Sequence, residues 1–346
     1  MPTKAEKERE ARILARKKEV EKKAKERKEK EAKIIKRIDE SRAATFKAHV
    51  KLFECGIIVE VLNTVQAKLA QDAGFNAICP YNYPEEMTMS GNGNPVTSDP
   101  RVIREMMNSV LIPIMANVRI GHTIEAKMAA HLGASIINEH EYAEVSEATC
   151  MSKKGFKVPF MAGVENLAEC ILRIEDGATM LRTKAEDEDK NFSHTITTVK
   201  AILKQLKVMY AGVAKTSGES NKAYTPSDAA IDAADAAKYK LLESDEFDNR
   251  KPPMEIINRV IKEGKLPVPF YGYGGVCTPN DVAMLRRVGC GAIISNIAFK
   301  ADNPRRQLRM LVEASANYNK AAKMAELSIG TNGQYYPEEE EEDDDD

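Results

Sequence analysis

Lys184 is the residue with the most direct chemical use. A lysine that ends a buried apolar run can be stripped of water, lose part of its preference for the ammonium form, and attack a carbonyl to form an imine. It closes the run Met180-Leu181-Arg182-Thr183-Lys184, and Arg182, two residues earlier, can orient or neutralise an anion. The plain structural alternative is an ion pair with Glu186, Asp187, Glu188 and Asp189, which follow at once, and the sequence supports both readings. Other polar residues end apolar runs in the same way: Glu60, a carboxylate able to move protons; Asn117 with Arg119; Asn138 with Glu139 and His140; and Ser295-Asn296. Gly272-Tyr273-Gly274-Gly275 precedes a helix start and can offer backbone N–H groups to a phosphate, although a Gly-Gly pair equally well makes a tight strand-to-helix turn.

The remaining reactive types exclude two classes of site. His49, His122, His131, His140 and His194 have no metal-ligand spacing, and each reads as a structural histidine. The six cysteines (Cys55, Cys79, Cys150, Cys170, Cys277, Cys290) contain no C-x-x-C, so neither a zinc site nor a disulfide framework is expected, only reduced buried thiols. No metal and no cofactor are expected.

Residues at the ends of apolar runs matter only if a fold gathers those ends. Eight β-rich runs recur, at Gly56–Leu62, Ala77–Asn82, Ile112–Val118, Ser135–His140, Val158–Val164, Met180–Lys184, Pro267–Tyr273 and Ala292–Ile297, most of them separated by one helical stretch. Near-continuous apolar character suits parallel strands covered on both faces, and eight βα units predict a single closed (β/α)8 barrel of the α/β class. In such a barrel the carboxyl ends of all eight strands meet at one mouth, where every candidate above then lies. Helix starts are marked by Ser98-Asp99-Pro100 and by Thr278-Pro279-Asn280-Asp281. From 184 to 273 there are 89 residues, too many for one βα unit, and Ala214–Arg250 reads as an insertion, helical over Ser227–Leu242.

The 346 residues, 43% hydrophobic and 30% charged, can bury a large core. The net charge of −2 hides two opposite ends. Residues 1–42 carry 17 basic against 10 acidic side chains, and Glu338–Asp346 is nine carboxylates in a row. The first reads as a solvated helix or a disordered arm, with contact to nucleic acid or membrane as the functional alternative; interspersed glutamates and missing aromatics weigh against nucleic acid. The second reads as a disordered acidic tail. The expected organisation is a charged extension over 1–43, the barrel over 44–318 with its insertion at 214–250, and a C-terminal segment over 319–346. No run approaches a membrane span, and a cytoplasmic protein is expected.

From about Ala44 to Tyr318 the chain resembles the synthase subunit of pyridoxal 5′-phosphate synthase, the ribose-5-phosphate-dependent vitamin B6 enzyme. The resemblance rests on Gly56-Ile57-Ile58-Val59-Glu60-Val61, on Pro113-Ile114-Met115-Ala116-Asn117-Val118-Arg119-Ile120-Gly121-His122 and on Met180–Lys184. It continues in Gly274-Gly275-Val276-Cys277-Thr278-Pro279 and Phe299-Lys300-Ala301-Asp302-Asn303-Pro304. It implies hexameric rings stacked into dodecamers, a glutaminase partner whose docking is in question here, and a site built on two imine-forming lysines. Arg119, Arg182 and Lys184 match that site. The departures are concentrated in the rest of it. Glu60 stands for an aspartate, Asn117 for the lysine of the first imine, Asn138 for a second aspartate and Tyr273 for an alanine. Ser295-Asn296-Ile297 replaces a Gly-Ser-Gly phosphate cradle, and Ala185–Lys190, with four carboxylates, replaces a glycine-rich loop. An amide cannot form an imine, and lost glycines close the backbone to a phosphate. The expectation is a pseudoenzyme of this family, a structural or regulatory subunit or homo-oligomeric scaffold, with co-assembly with an active paralogue left open. The enzyme alternatives are the parental activity or altered imine chemistry at Lys184.

Overall fold

Eight parallel strands define the architecture in a computed structural model, which describes residues 55–80, 100–140, 151–153, 156–184, 191–213, 228–247 and 251–329. They are β1 Ile57–Val61, β2 Ala77–Pro80, β3 Met115–Arg119, β4 Ile136–His140, β5 Phe160–Val164, β6 Met180–Thr183, β7 Phe270–Tyr273 and β8 Gly291–Ile294. Their hydrogen-bonded order is β2-β1-β8-β7-β6-β5-β4-β3, and a parallel bridge between Ile78 and Ile114 closes β2 onto β3. The protein is a single (β/α)8 barrel, with every expected strand in place. The eighth is shorter than its apolar run suggests: it stops at Ile294, and Asn296–Lys300 turns into a 3-10 helix.

Around the barrel lie α1 Thr64–Ala73, α2 Pro100–Ser109, α3 Thr123–Leu132, α4 Leu167–Glu175, α5 Phe192–Val213, α6 Asp228–Leu242, α7 Met254–Glu263, α8 Pro279–Arg287, α9 Pro304–Asn317 and α10 Ala321–Leu327. Local chemistry sets their ends. Asn63 caps α1 by accepting from the Val65 and Gln66 amides, and Thr278 and Asp281 form a reciprocal capping box at α8, with Pro279 in the first turn. The predicted helix within the insertion is α6; residues 214–227 and 248–250 of that insertion lie outside the described residues, as do the charged extension and the acidic run.

The period-two pleat divides each strand between two interiors. Val59, Ile78, Ala116, Ile137, Ala162, Leu181 and Ile294 face the helices and join one apolar layer with Ile103 and Met106 of α2, Ile171 of α4 and Leu308 of α9. The alternate residues are also buried but stand outside that layer, among them Ile58, Met115, Ile136, Met161, Tyr271 and Ile293. Tyr271 is wholly buried, and Gly291 on the neighbouring strand makes room for it. A Cβ at 291 would lie 2.4 Å from the Tyr271 ring and 2.8 Å from the Gly56 carbonyl oxygen. Gly291→Ala would therefore displace an aromatic ring from a close-packed interior, a change that costs about 1–3 kcal/mol.

Candidate active site

One register higher, toward the carboxyl ends, the inward positions become polar. Glu60 pairs in register with Cys79, Asn117 with Asn138, and Gly163 with Arg182. Their side chains connect across the barrel. Arg182, with no exposed surface, donates through Nε to Asn138 Oδ1 (2.8 Å), through Nη1 to the Thr183 carbonyl (3.0 Å) and through Nη2 to the Glu139 carbonyl (3.0 Å). Asn138 Nδ2 donates to Asn117 Oδ1 (2.8 Å), which also accepts from Cys79 Sγ (3.3 Å). On the other side the guanidinium lies 5.0 Å from the centre of the Tyr273 ring, and Tyr273 Oη donates to Glu60 Oε1 (2.5 Å). His140 meets the same ring edge-on and places Nε2 3.4 Å from the hydroxyl.

This is a polar partition spanning β1, β2, β3, β4, β6 and β7, two hydrogen-bonded halves joined where Arg182 lies over the Tyr273 ring. Asn138 acts both as donor, to Asn117, and as acceptor, from Arg182, a pair of roles that an ionised carboxylate or an ammonium cannot fill, while Asn117 Oδ1 accepts twice. Desolvation raises the Cys79 thiol above its ordinary range, the Glu60 charge raises it further, and Arg182 and the Asn117 bond oppose them only in part. Buried and donating to Asn117, the thiol serves as a structural member of the partition.

The candidate lysine lies elsewhere. Lys184 Nζ is 2.7 Å from Glu169 Oε1 and 3.5 Å from Glu165 Oε1, facing the start of α4. The carboxylates at 186–189, expected to compete for it or to crowd a phosphate, lie outside the described residues. Arg119 is likewise engaged. Its guanidinium pairs with Glu125 of α3, whose other oxygen accepts from the Arg119 amide (3.0 Å). The Gly274-Gly275 turn, with both residues at positive φ, is fastened from beneath: Thr183 Oγ1 and Thr195 Oγ1 donate to the Tyr273 carbonyl, and Thr195 reaches the Gly274 carbonyl as well. At the expected cradle, Asn296 is buried in the 3-10 turn and the Ser295 amide is spent on the Val276 carbonyl (3.1 Å). Among the described residues no cluster of histidine, cysteine or carboxylate could hold a metal ion, and no helix is long and apolar enough to cross a membrane.

The SOR/SNZ family profile matches residues 42–240. The chain belongs to the SOR/SNZ family. Among curated relatives, the pyridoxal 5′-phosphate synthase subunit PdxS of Methanothermobacter thermautotrophicus is 33% identical over 287 residues, 82% of this chain and 89% of that protein. The PdxS subunit of Methanococcus maripaludis strain C6 is 32% identical over 302 residues, 84% and 94% of the two chains. That of Clostridium botulinum is 31% identical over 297 residues, 85% and 93%. In this SOR/SNZ barrel Glu60, Asn117, Asn138 and Tyr273, four positions singled out in the sequence, are joined in the partition with Cys79 and Arg182.

Two residues of this neighbourhood, Lys153 and Glu169, escape the sequence reading. Lys153 and Glu139 form an ion pair of 2.6 Å with side chains 0% and 2% exposed, and Lys153 Nζ also donates to the Met151 carbonyl (3.1 Å). Nothing periodic surrounds Lys153, so no pattern betrays it. Glu169 did carry a signal. Asn166-Leu167-Ala168-Glu169 has capping-box spacing, Asn166 Oδ1 accepts from the Glu169 amide, and a carboxylate fixed there faces the strand that ends in Lys184.

Proposed function

We propose that this chain is a catalytically silent member of the pyridoxal 5′-phosphate synthase family, kept for its fold and assembly surfaces. The supporting observation is the state of Asn117. By resemblance this position carries the amine of the first imine, and here an amide is locked between Cys79 and Asn138 at one end of a buried network. That network uses Arg182 and Glu60 as structural members, so neither points an unused group at a substrate. Loss of a nucleophile or of an electrostatic element costs orders of magnitude in rate, and losses at several positions leave little to rescue.

On this reading the barrel over 44–318 is a cytoplasmic structural or regulatory subunit. It sits in hexameric rings or a dodecamer, by itself or with an active paralogue, and has no glutaminase requirement of its own. Imine chemistry at Lys184 on a smaller carbonyl substrate is the second reading. Its support is that the Lys184 side chain keeps 21% of its surface in water; against it, Nζ lies 2.7 Å from Glu169 and 3.5 Å from Glu165, two carboxylates that engage the nitrogen a carbonyl would need. The test is turnover. With pentose phosphate, triose phosphate and ammonia supplied, no pyridoxal phosphate is expected, and sustained formation would overturn the proposal.

A further inference from the structure

A groove of about 810 Å³ opens at the opposite end of the barrel, where Cys55, Pro267–Pro269 and Cys290 lead into β1, β7 and β8. Its rim is strongly basic. Lys200, Lys204 and Lys207 of α5 recur at i, i+4 and i+7 and so share one helix face; Arg259 of α7, Lys265 and Arg287 of α8 complete the ring. All six are exposed, and Glu263, paired with Arg259, is the one acidic residue of the lining. Convergent like charges around a concave surface repel one another and concentrate a field that an anion relieves.

We infer that this groove is the docking site of the chain's own acidic segment, Glu338–Asp346. Charge is the first argument: nine consecutive carboxylates meet six cations and one anion. The second is reach. The described chain ends at Ile329, and Ser328 Oγ lies 3.4 Å from Asn280 Oδ1 in the first turn of α8. Arg287, in the last turn of the same helix, is about 10 Å further along its axis at 1.5 Å per residue. Residues 330–337 can extend across about 30 Å, which leaves slack to round the helix end and enter the groove.

Two other basic surfaces are poorer receptors. Residues 1–42 interleave 10 carboxylates with their 17 cations and so neutralise much of their own field. The smaller groove beside α9 and α10 is closer to Ile329, but it sets two carboxylates, Glu313 and Glu326, against four cations. Its Lys323 is paired with both of them and its Arg305 faces Asp72, which leaves Arg306 and Arg309 against the six cations and one carboxylate of the larger groove.

Carbodiimide coupling of the full-length chain, mapped by mass spectrometry, tests the assignment because it joins carboxylates to lysines in ion-pair contact. At low salt, coupling from Glu338–Asp346 to Lys200, Lys204, Lys207 or Lys265 is expected. It should fall about tenfold or more in about 0.5 M NaCl, where screening shortens to a few ångströms. The triple variant Lys200→Glu, Lys204→Glu, Lys207→Glu, which alters only exposed side chains, should lose it while keeping the circular dichroism of the parent. A mixture of heavy- and light-isotope chains should show the coupling within one copy. Coupling only to Lys323, only to lysines of residues 1–42, only between copies, or not at all would overturn the inference.

Discussion

Asn138 stands between Asn117 and Arg182, donating to one and accepting from the other at 2.8 Å each, and this predicts an energetic coupling between positions 117 and 138. Asn117→Lys removes the acceptor that Asn138 Nδ2 and Cys79 Sγ share and brings a second cation toward a guanidinium with no exposed surface. At a separation on the order of 6 Å and an effective dielectric of about 20, the repulsion is about 3 kcal/mol. The lost acceptor adds about 1–2 kcal/mol. The single variant should therefore lose about 3–5 kcal/mol of stability. With Asn138→Asp added, a carboxylate bridges the new lysine and Arg182, and the double variant should recover about 2–3 kcal/mol. Urea denaturation of the four proteins of the cycle, followed by circular dichroism, reads the coupling directly. A coupling below about 0.5 kcal/mol would refute the claim that the two amides form one interdependent unit. Neither variant should make pyridoxal phosphate, because Tyr273 still joins Glu60 and the Ser295 amide is still spent.

The buried pair of Lys153 and Glu139 gives a second outcome: Lys153→Met strands a carboxylate whose other partners are the Gly121 and Met151 amides at 3.3 and 3.4 Å, and should cost about 3–5 kcal/mol. Adding Glu139→Gln should return most of it in the same denaturation assay. Asp281 supplies a pH test. Burial raises its carboxyl above the ordinary carboxylate range, although bonds from Thr278 and Cys277 oppose this. A raised folded value means that the charged form is the costlier one in the native state. The stability of the parent relative to Asp281→Asn should therefore fall as pH rises from below the ordinary aspartate value through the raised one, then level off. A difference in melting temperature that stays flat or moves the other way from pH 3 to 7 would contradict it.

The barrel was legible because β-branched and apolar runs at βα spacing leave few alternatives to parallel strands, and Thr278–Asp281 announced α8 by its capping chemistry alone. The site was legible by position, since Glu60, Asn117, Asn138 and Arg182 all end apolar strands, but not by connection. Which inward residues touch depends on the barrel's stagger, and strand sequences do not state that. Tyr273 was visible as a bulky residue beside two glycines; that its hydroxyl would reach Glu60 from β7 to β1 was not. Lys184 shows the converse. Its type and position suggested a nucleophile, but Glu169 from the preceding βα unit pairs with it, a partner remote in sequence; the carboxylates at 186–189 lie outside the described residues. The eighth strand ended early because the Ser295 amide turns to the Val276 carbonyl, a tertiary bond that no local pattern encodes.

The central claim, that this SOR/SNZ barrel does not carry out the synthase reaction, is tested most directly at the first covalent step. The full-length chain is incubated with ribose 5-phosphate, reduced with borohydride and weighed intact by mass spectrometry. The account predicts the unmodified mass, because position 117 offers no amine and Lys184 is held by Glu169 and Glu165. A stoichiometric pentose-phosphate adduct mapped to Lys184 would contradict it.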